Sequence, residues 1–185
     1  NGSSACLGRV VHVCLPSNMH MDGWVYSPRL REPGNDDTGK WMLFYPHSLM
    51  DAAWLKAVSV MQQITECFRV KAAQISGRRP GQTTTNEGVI CFYIDSCYNE
   101  DRARSAGSKI YQLMGYGTRW GKMPFKTDKE TRNGQYSNTS TAPVSLYTLE
   151  VPHTIDVGHY EKERRFVFDA RGHSPRYAED ARLEL

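Results

Sequence analysis

The order of the elements predicted between residues 38 and 99 is the feature that most constrains the fold. Alternating side chains predict a strand over 40–45, and an apolar stripe at three- and four-residue spacing then predicts an amphipathic helix. Two further strands are predicted over 68–76 and 88–95, and a second helix follows Asn99. Because single helices alternate with more numerous strands, we expect an α+β fold with an antiparallel sheet and helices on one face.

Alternation along the strand over 40–45 separates its side chains into two sets. Trp41 lies on one face of the strand, and Lys40 therefore lies on the other. We expect Trp41 to be buried, as we do Trp54 on the apolar stripe of the following helix. If Trp41 packs against the helices, Lys40 points to the open face of the sheet, where it is either a phosphate ligand or a solvated lysine.

A basic turn joins the predicted strands over 68–76 and 88–95 as a hairpin. Arg78 and Arg79 lie in this turn, between a glycine and a proline. Two guanidinium groups on a short turn suit bidentate contact with phosphate. An ordinary charged hairpin has the same composition, so the sequence leaves both interpretations open.

A second basic segment begins within the predicted strand over 121–126 and continues into the polar loop after it. It includes Lys126 and Lys129, and aromatic side chains are interleaved among its cations. This mixture is typical of surfaces that bind single-stranded nucleic acid through phosphate contacts and base stacking. A solvated loop would look the same, and a formal net charge of +3 is too small to indicate nucleic acid by itself.

The length of 185 residues favours a single domain over 1–185. We expect its core over 8–151, with 152–185 as a charged C-terminal extension packed at the domain edge. The chain begins at Asn1 without methionine, which resembles the cut end of a fragment more than a signal peptide. No apolar run approaches the roughly 20 residues that cross a bilayer, so we expect no membrane association.

Cysteine and histidine usage favours a binding protein over an enzyme. Five cysteines without a Cys-x-x-Cys pair indicate reduced thiols in a cytoplasmic or nuclear protein. The six histidines lack metal-ligand spacing, so we expect no metal and no other cofactor. The sequence contains no nucleophile elbow and no Walker loop. If there is catalysis, His153, His159 and Asp95 are the candidates.

Four motifs between residues 38 and 130 stand in a recognisable order. They are the Gly39-Lys40-Trp41 strand, the Asp51-x-x-Trp54 helix, the hairpin with its basic turn, and Tyr93 six residues before Asn99. Their order and spacing resemble the C-terminal half of the cap-binding translation initiation factor fold.

A finer resemblance includes two more segments, Val-Ile-Cys over 89–91 and Pro-x-x-Leu-Tyr over 143–147. With the Gly-Lys-Trp strand and the Asp-x-x-Trp helix, they are similar to the uncharacterised basophilic leukaemia expressed protein family, which shares that fold. This resemblance implies a fold and no established activity.

The cap-binding resemblance implies a curved antiparallel sheet whose concave surface holds a methylated guanine between two tryptophans. In that pattern, Lys40 corresponds to a phosphate-contacting residue, and Tyr93 corresponds to an aromatic residue that touches the base. Arg78 and Arg79 fall near the basic residues that hold the phosphates. Trp24 is the candidate for a sandwiching tryptophan, although the residue after it is not acidic as the pattern requires.

We therefore interpret the chain as a nucleotide- or RNA-binding module with a cap-like molecule among its candidate ligands. The expected contacts are Lys40, Arg78 and Arg79 with phosphate, Trp24 and Tyr93 with the base, and Lys126 and Lys129 with the approaching chain. One alternative is a protein-interaction module whose helical face or charged tail binds a partner. A small nucleotide-processing enzyme is a third, less favoured interpretation.

Overall fold

In the computed structural model of the chain, the described residues are 10–17, 23–73, 86–129, 145–173 and 180–184. The strands are β1 (Val10–Cys14), β2 (Trp24–Tyr26), β3 (Gly39–Pro46), β4 (Cys67–Ala73), β5 (Glu87–Ile94), β6 (Lys122–Thr127), β7 (Tyr147–Glu150) and β8 (Asp180–Glu184). The helices are α1 (His47–Val60), α2 (Glu100–Met114) and α3 (Glu161–His173), with 3-10 turns at Met61–Gln63 and Val157–Tyr160.

Strands β2 to β7 form one curved antiparallel sheet in the order β2-β4-β5-β3-β6-β7. Strand β1 pairs with β8 in a separate two-stranded sheet. The predicted hairpin is present as the antiparallel pair β4 and β5, whereas Arg78 and Arg79 in its connection lie outside the described residues. The predicted α+β class with an antiparallel sheet is confirmed.

The helical layer covers one face of the sheet and fixes the orientation of β3. The fully buried indole of Trp41 donates from Nε1 to the carbonyl oxygen of Ala103 in α2, over 2.9 Å. On the same face, the hydroxyl groups of Tyr45 and Tyr160 lie 3.0 Å apart. Trp54 on α1 is also fully buried. The predicted burial of Trp41 and Trp54 is therefore confirmed.

Local signals set the limits of α2. The side chain of Asn99 accepts a hydrogen bond from the backbone N–H of Arg102 over 3.1 Å, which caps the start of the helix. Gly115 ends it in the left-handed conformation with φ of 55°. Asn99 is thus the N-cap that the sequence predicts.

Residues beyond 151 also contribute to the packed interior. Tyr160 is fully buried, Val167 belongs to the same apolar cluster, and α3 packs against α1. The division into a core over 8–151 and an extension over 152–185 stays a prediction, and the helical layer includes part of that extension. None of the helices in the described part of the chain has the length and apolar character needed to cross a membrane.

Candidate functional site

Basic and aromatic side chains lie together on the sheet face opposite the helices. The strand register places Lys40 beside Tyr93 on β5 and beside Lys126 on β6. Arg69 on β4 is also opposite Tyr93, and Lys71 follows two residues later on the same face. We call Lys40, Arg69, Lys71, Tyr93 and Lys126 the open-face cluster.

Lys40 lies on the open face, as its alternation with Trp41 predicts, but it is not a solvated lysine. Its Nζ donates to Oδ1 of Asp128 over 2.9 Å, and its side chain is only 7% exposed. The ammonium also lies 5.3 Å from the ring centroid of Tyr93. In this structure Lys40 is therefore one partner of a largely buried ion pair.

Lys71 lies between two aromatic rings of the open face. Its Nζ is 3.9 Å from the ring centroid of Trp24 and 5.4 Å from that of Tyr93. Burial lowers the pKa of the Lys71 ammonium, and the neighbouring charge of Lys40 lowers it further, although Cys91 and Asp128 oppose the shift. An anion placed here would stabilise the charged form of Lys71.

Arg69 has an unmet hydrogen-bonding group. Its guanidinium carbon lies 4.4 Å from the ring centroid of Tyr26, which is consistent with a cation–π contact. Its Nε is buried without a hydrogen-bond partner. Because leaving a buried donor unpaired is costly, this atom marks a place where an external acceptor would be stabilising.

A pocket of about 340 Å³ opens beside the cluster. A β-bulge between Cys67 and Arg69 shifts the register of β4. The ring centroids of Phe68 and Tyr93 lie 6.2 Å apart. The lining combines aromatic rings, three cationic side chains and two carboxylates; it includes Tyr26, Arg29, Asp36, Phe68, Arg69, Lys71, Tyr93 and Asp128. Such a lining suits a ligand that carries both a planar group and negative charge.

Asp95 anchors the loop that forms the rim of this pocket. Its Oδ2 accepts from Arg31 over 2.7 Å and from the backbone N–H of Gly34 over 2.9 Å. Burial opposes the charged form of this carboxyl, but the hydrogen bonds from Arg31 and Gly34 outweigh it and hold its pKa below the usual range. Asp95 therefore has a structural role, because its contacts with Arg31 and Gly34 hold the loop in place.

The histidines named as catalytic candidates have separate partners. His153 lies with Nδ1 at 3.3 Å from the carbonyl oxygen of Arg119. His159 lies with Nε2 at 3.5 Å from a carboxylate oxygen of Asp156. Within the described ranges, no group of three or more His, Cys, Asp or Glu side chains could hold a metal ion.

The structure separates the residues that the sequence grouped. Trp24 and Lys126 lie on the open face with Lys40 and Tyr93, whereas Lys129 is exposed beside a second pocket of about 370 Å³. Lys126 does not belong to a solvated loop, because β6 continues to Thr127 and leaves it 5% exposed opposite Lys40.

Sequence reasoning missed Arg69 and Lys71. Both are basic residues spaced two apart within a predicted strand, between the apolar Phe68 and Ala72. The alternation of side chains that places Lys40 on the open face also applies to the predicted strand over 68–76. It places Arg69 and Lys71 together on one face of that strand. The signal was therefore present in the sequence.

Comparisons with known proteins show the fold. No family model matches the chain, and no curated protein matches it. The chain is similar to the crystal structure of a schistosome eIF4E complexed with m7GpppA and 4E-BP, with a TM-score of 0.53. The similarity covers 73% of this chain and 74% of that chain at 13% sequence identity. The predicted cap-binding initiation factor fold is thus confirmed, and at this identity the likeness defines the architecture alone.

Proposed function

We propose that the chain is a nucleotide- or RNA-binding module that holds a phosphate-bearing ligand on its open sheet face. The observation that carries this proposal is the pair Arg69 and Lys71 beside the 340 Å³ pocket. The first has a buried, unpaired Nε–H, and the second is a partly desolvated ammonium. Both residues line this pocket, so we expect an anion bound in it to stabilise both side chains.

The charge balance of the face supports this ligand class. Asp128 pairs with Lys40, which leaves the open-face cluster with more positive than negative charge. Burial raises the pKa of the Cys91 thiol to about 11 and raises that of the Tyr93 hydroxyl well above its usual range. Neither group therefore supplies negative charge near neutral pH. An external phosphate would neutralise part of the excess positive charge of the open-face cluster.

The roles predicted from the sequence enter this proposal with two additions. Arg69 and Lys71 join the residues proposed to contact phosphate. The other proposed contacts are Lys40, Arg78 and Arg79 with phosphate, Trp24 and Tyr93 with the base, and Lys126 and Lys129 with a longer chain. The m7GpppA bound by the schistosome eIF4E supports including cap analogues among the ligands. A cytoplasmic or nuclear location and kinship with the basophilic leukaemia expressed protein family are also proposals, supported by sequence features alone.

A paired charge removal tests the proposal. The double variant Arg69→Ala and Lys71→Ala removes both cations, and Lys109→Ala with Arg165→Ala removes an exposed lysine and arginine from the helical layer. Tryptophan fluorescence would follow titrations with m7GpppA, guanosine triphosphate and a short single-stranded RNA at several salt concentrations.

We expect the open-face variant to bind at least about tenfold more weakly, a loss of about 1.4 kcal/mol. For RNA, losing two phosphate contacts should flatten the slope of log affinity against log salt by roughly 1.4. The helical-layer variant should match the parent protein. Equal binding by both double variants would remove the open face as the ligand site.

A protein-interaction module is the second candidate. Phe166 on α3 and Val157 before it are exposed apolar side chains of the helical layer, and the indole of Trp120 is 69% exposed. The 4E-BP bound by the schistosome eIF4E supports testing a protein partner. Absence of binding across the whole nucleotide and RNA panel would favour this candidate over the first.

A further inference from the structure

The carboxylate of Asp128 occupies the position beside Lys40 where the proposed function places a phosphate. Its Oδ1 accepts from the Lys40 ammonium over 2.9 Å, and its Oδ2 accepts from the Thr38 hydroxyl over 2.7 Å. An ammonium and a hydroxyl are also typical donors to a phosphate oxygen. The site next to Lys40 is thus already occupied by an anion that belongs to the chain.

Backbone geometry holds this carboxylate at the pocket. The N–H of Asp128 donates to the carbonyl oxygen of Thr38 over 2.9 Å, which ties the end of β6 to the start of β3. The Asp128 side chain is 21% exposed, so a ligand can reach it from the pocket that it lines with Arg69 and Lys71. Its charge also acts on Lys71, whose ammonium it stabilises.

We propose that Asp128 is an internal competitor for the ligand's phosphate at Lys40. This inference rests on the proposed function. In the free protein, Asp128 neutralises Lys40 and limits repulsion between that lysine and Lys71. A bound phosphate takes over the Lys40 contact only by displacing the carboxylate or by approaching it against like charge. Asp128 therefore reduces what Lys40 contributes to affinity and makes binding depend on Arg69 and Lys71.

Replacing Asp128 by asparagine tests this inference because the change keeps the shape of the side chain and removes its charge. The probe is guanosine triphosphate, measured by isothermal titration calorimetry at fixed pH and salt. We expect Asp128→Asn to tighten binding about tenfold, which corresponds to about 1.4 kcal/mol. The matched control is Asp101→Asn, the same change of charge at an exposed position at the start of α2, which should bind as the parent does.

A second variant guards against a fold defect, because removing one partner of a buried ion pair destabilises some proteins. Thr38→Val removes the hydroxyl that holds Oδ2 and leaves the net charge unchanged. It loosens the carboxylate, so we expect tighter binding, by about two- to fivefold. This direction is opposite to what loss of a ligand contact would cause.

The outcomes separate this inference from the proposed function. Tighter binding by Asp128→Asn and Thr38→Val, with no change in Asp101→Asn, supports the competitor role. If the parent binds and neither Asp128→Asn nor Thr38→Val binds more tightly than the parent, the competitor role is overturned and the proposed function stands. If neither the parent nor Asp128→Asn binds guanosine triphosphate, the competitor role fails, and the titrations with m7GpppA and single-stranded RNA decide the proposed function.

Discussion

Close packing between α2 and the sheet is what holds Trp41 in the helical layer and leaves Lys40 on the open face, and Gly107 makes that packing achievable. A Cβ added at Gly107 would lie 2.6 Å from Cε2 and 2.7 Å from Cζ2 of Trp41, and 2.6 Å from Cδ1 of Leu149. Real Cβ atoms essentially never show such contacts, so Gly107→Ala must displace the indole, the leucine or the helix.

The expected size of the effect comes from two opposing contributions. At an unconstrained helix position, alanine is more favourable than glycine by about 1 kcal/mol. Overpacking a filled interior costs about 1–3 kcal/mol. Here the Trp41 ring has little freedom to move, because its Nε1 donates a hydrogen bond to the carbonyl oxygen of Ala103. We expect Gly107→Ala to lower the free energy of unfolding by about 1 kcal/mol despite its better helix propensity.

Urea unfolding followed by circular dichroism measures this difference. Ser105→Ala is the matched control, because Ser105 is exposed on the same helix and its replacement should raise stability by a few tenths of a kcal/mol. A gain of about 1 kcal/mol in Gly107→Ala, as at an exposed glycine, would refute the close approach of α2 to Trp41.

Two other predictions concern ionisable groups. Because the native pKa of Asp95 is lowered, its ionised form stabilises the fold above the unfolded value of about 3.9, and this stabilisation is lost as pH falls through the native pKa. Urea unfolding should therefore show that Asp95→Asn has a lower free energy of unfolding than the parent at pH 7, and that this difference shrinks toward pH 3. A difference that stays constant with pH would contradict the ion pair with Arg31. Burial raises the pKa of Cys91 to about 11, so mass spectrometry should show exposed Cys14 alkylated by iodoacetamide well before Cys91 at pH 8.

Local sequence patterns were sufficient for the strands and helices between residues 39 and 127, and for which face of β3 carries Lys40 and which carries Trp41. The two-residue period of a strand places Lys40 opposite to Trp41 wherever the helices lie. Asn99 starts α2 by accepting a hydrogen bond from the backbone N–H of Arg102, three residues later. The α+β class followed from the order of these elements. The initiation factor fold followed from motif order, before any contact between the strands was known.

The candidate site was only partly predictable because its contacts join distant segments. Pairing of β2 with β4 brings Trp24 over Lys71, and a prediction made strand by strand does not contain that neighbour. Lys126 was assigned with Lys129 to one basic segment, but continuation of β6 buries the first and leaves the second exposed.

What the sequence alone determined is the set of cationic and aromatic side chains and the face on which each strand presents them, because both depend on short-range periodicity. Only the tertiary structure decided which charges neutralise one another. Lys40 and Asp128 are 88 residues apart, and their ion pair exists because β3 and β6 are neighbours in the sheet. Charge pairing depends on distance in space, so whether Lys40 is available to a ligand is a property of the fold.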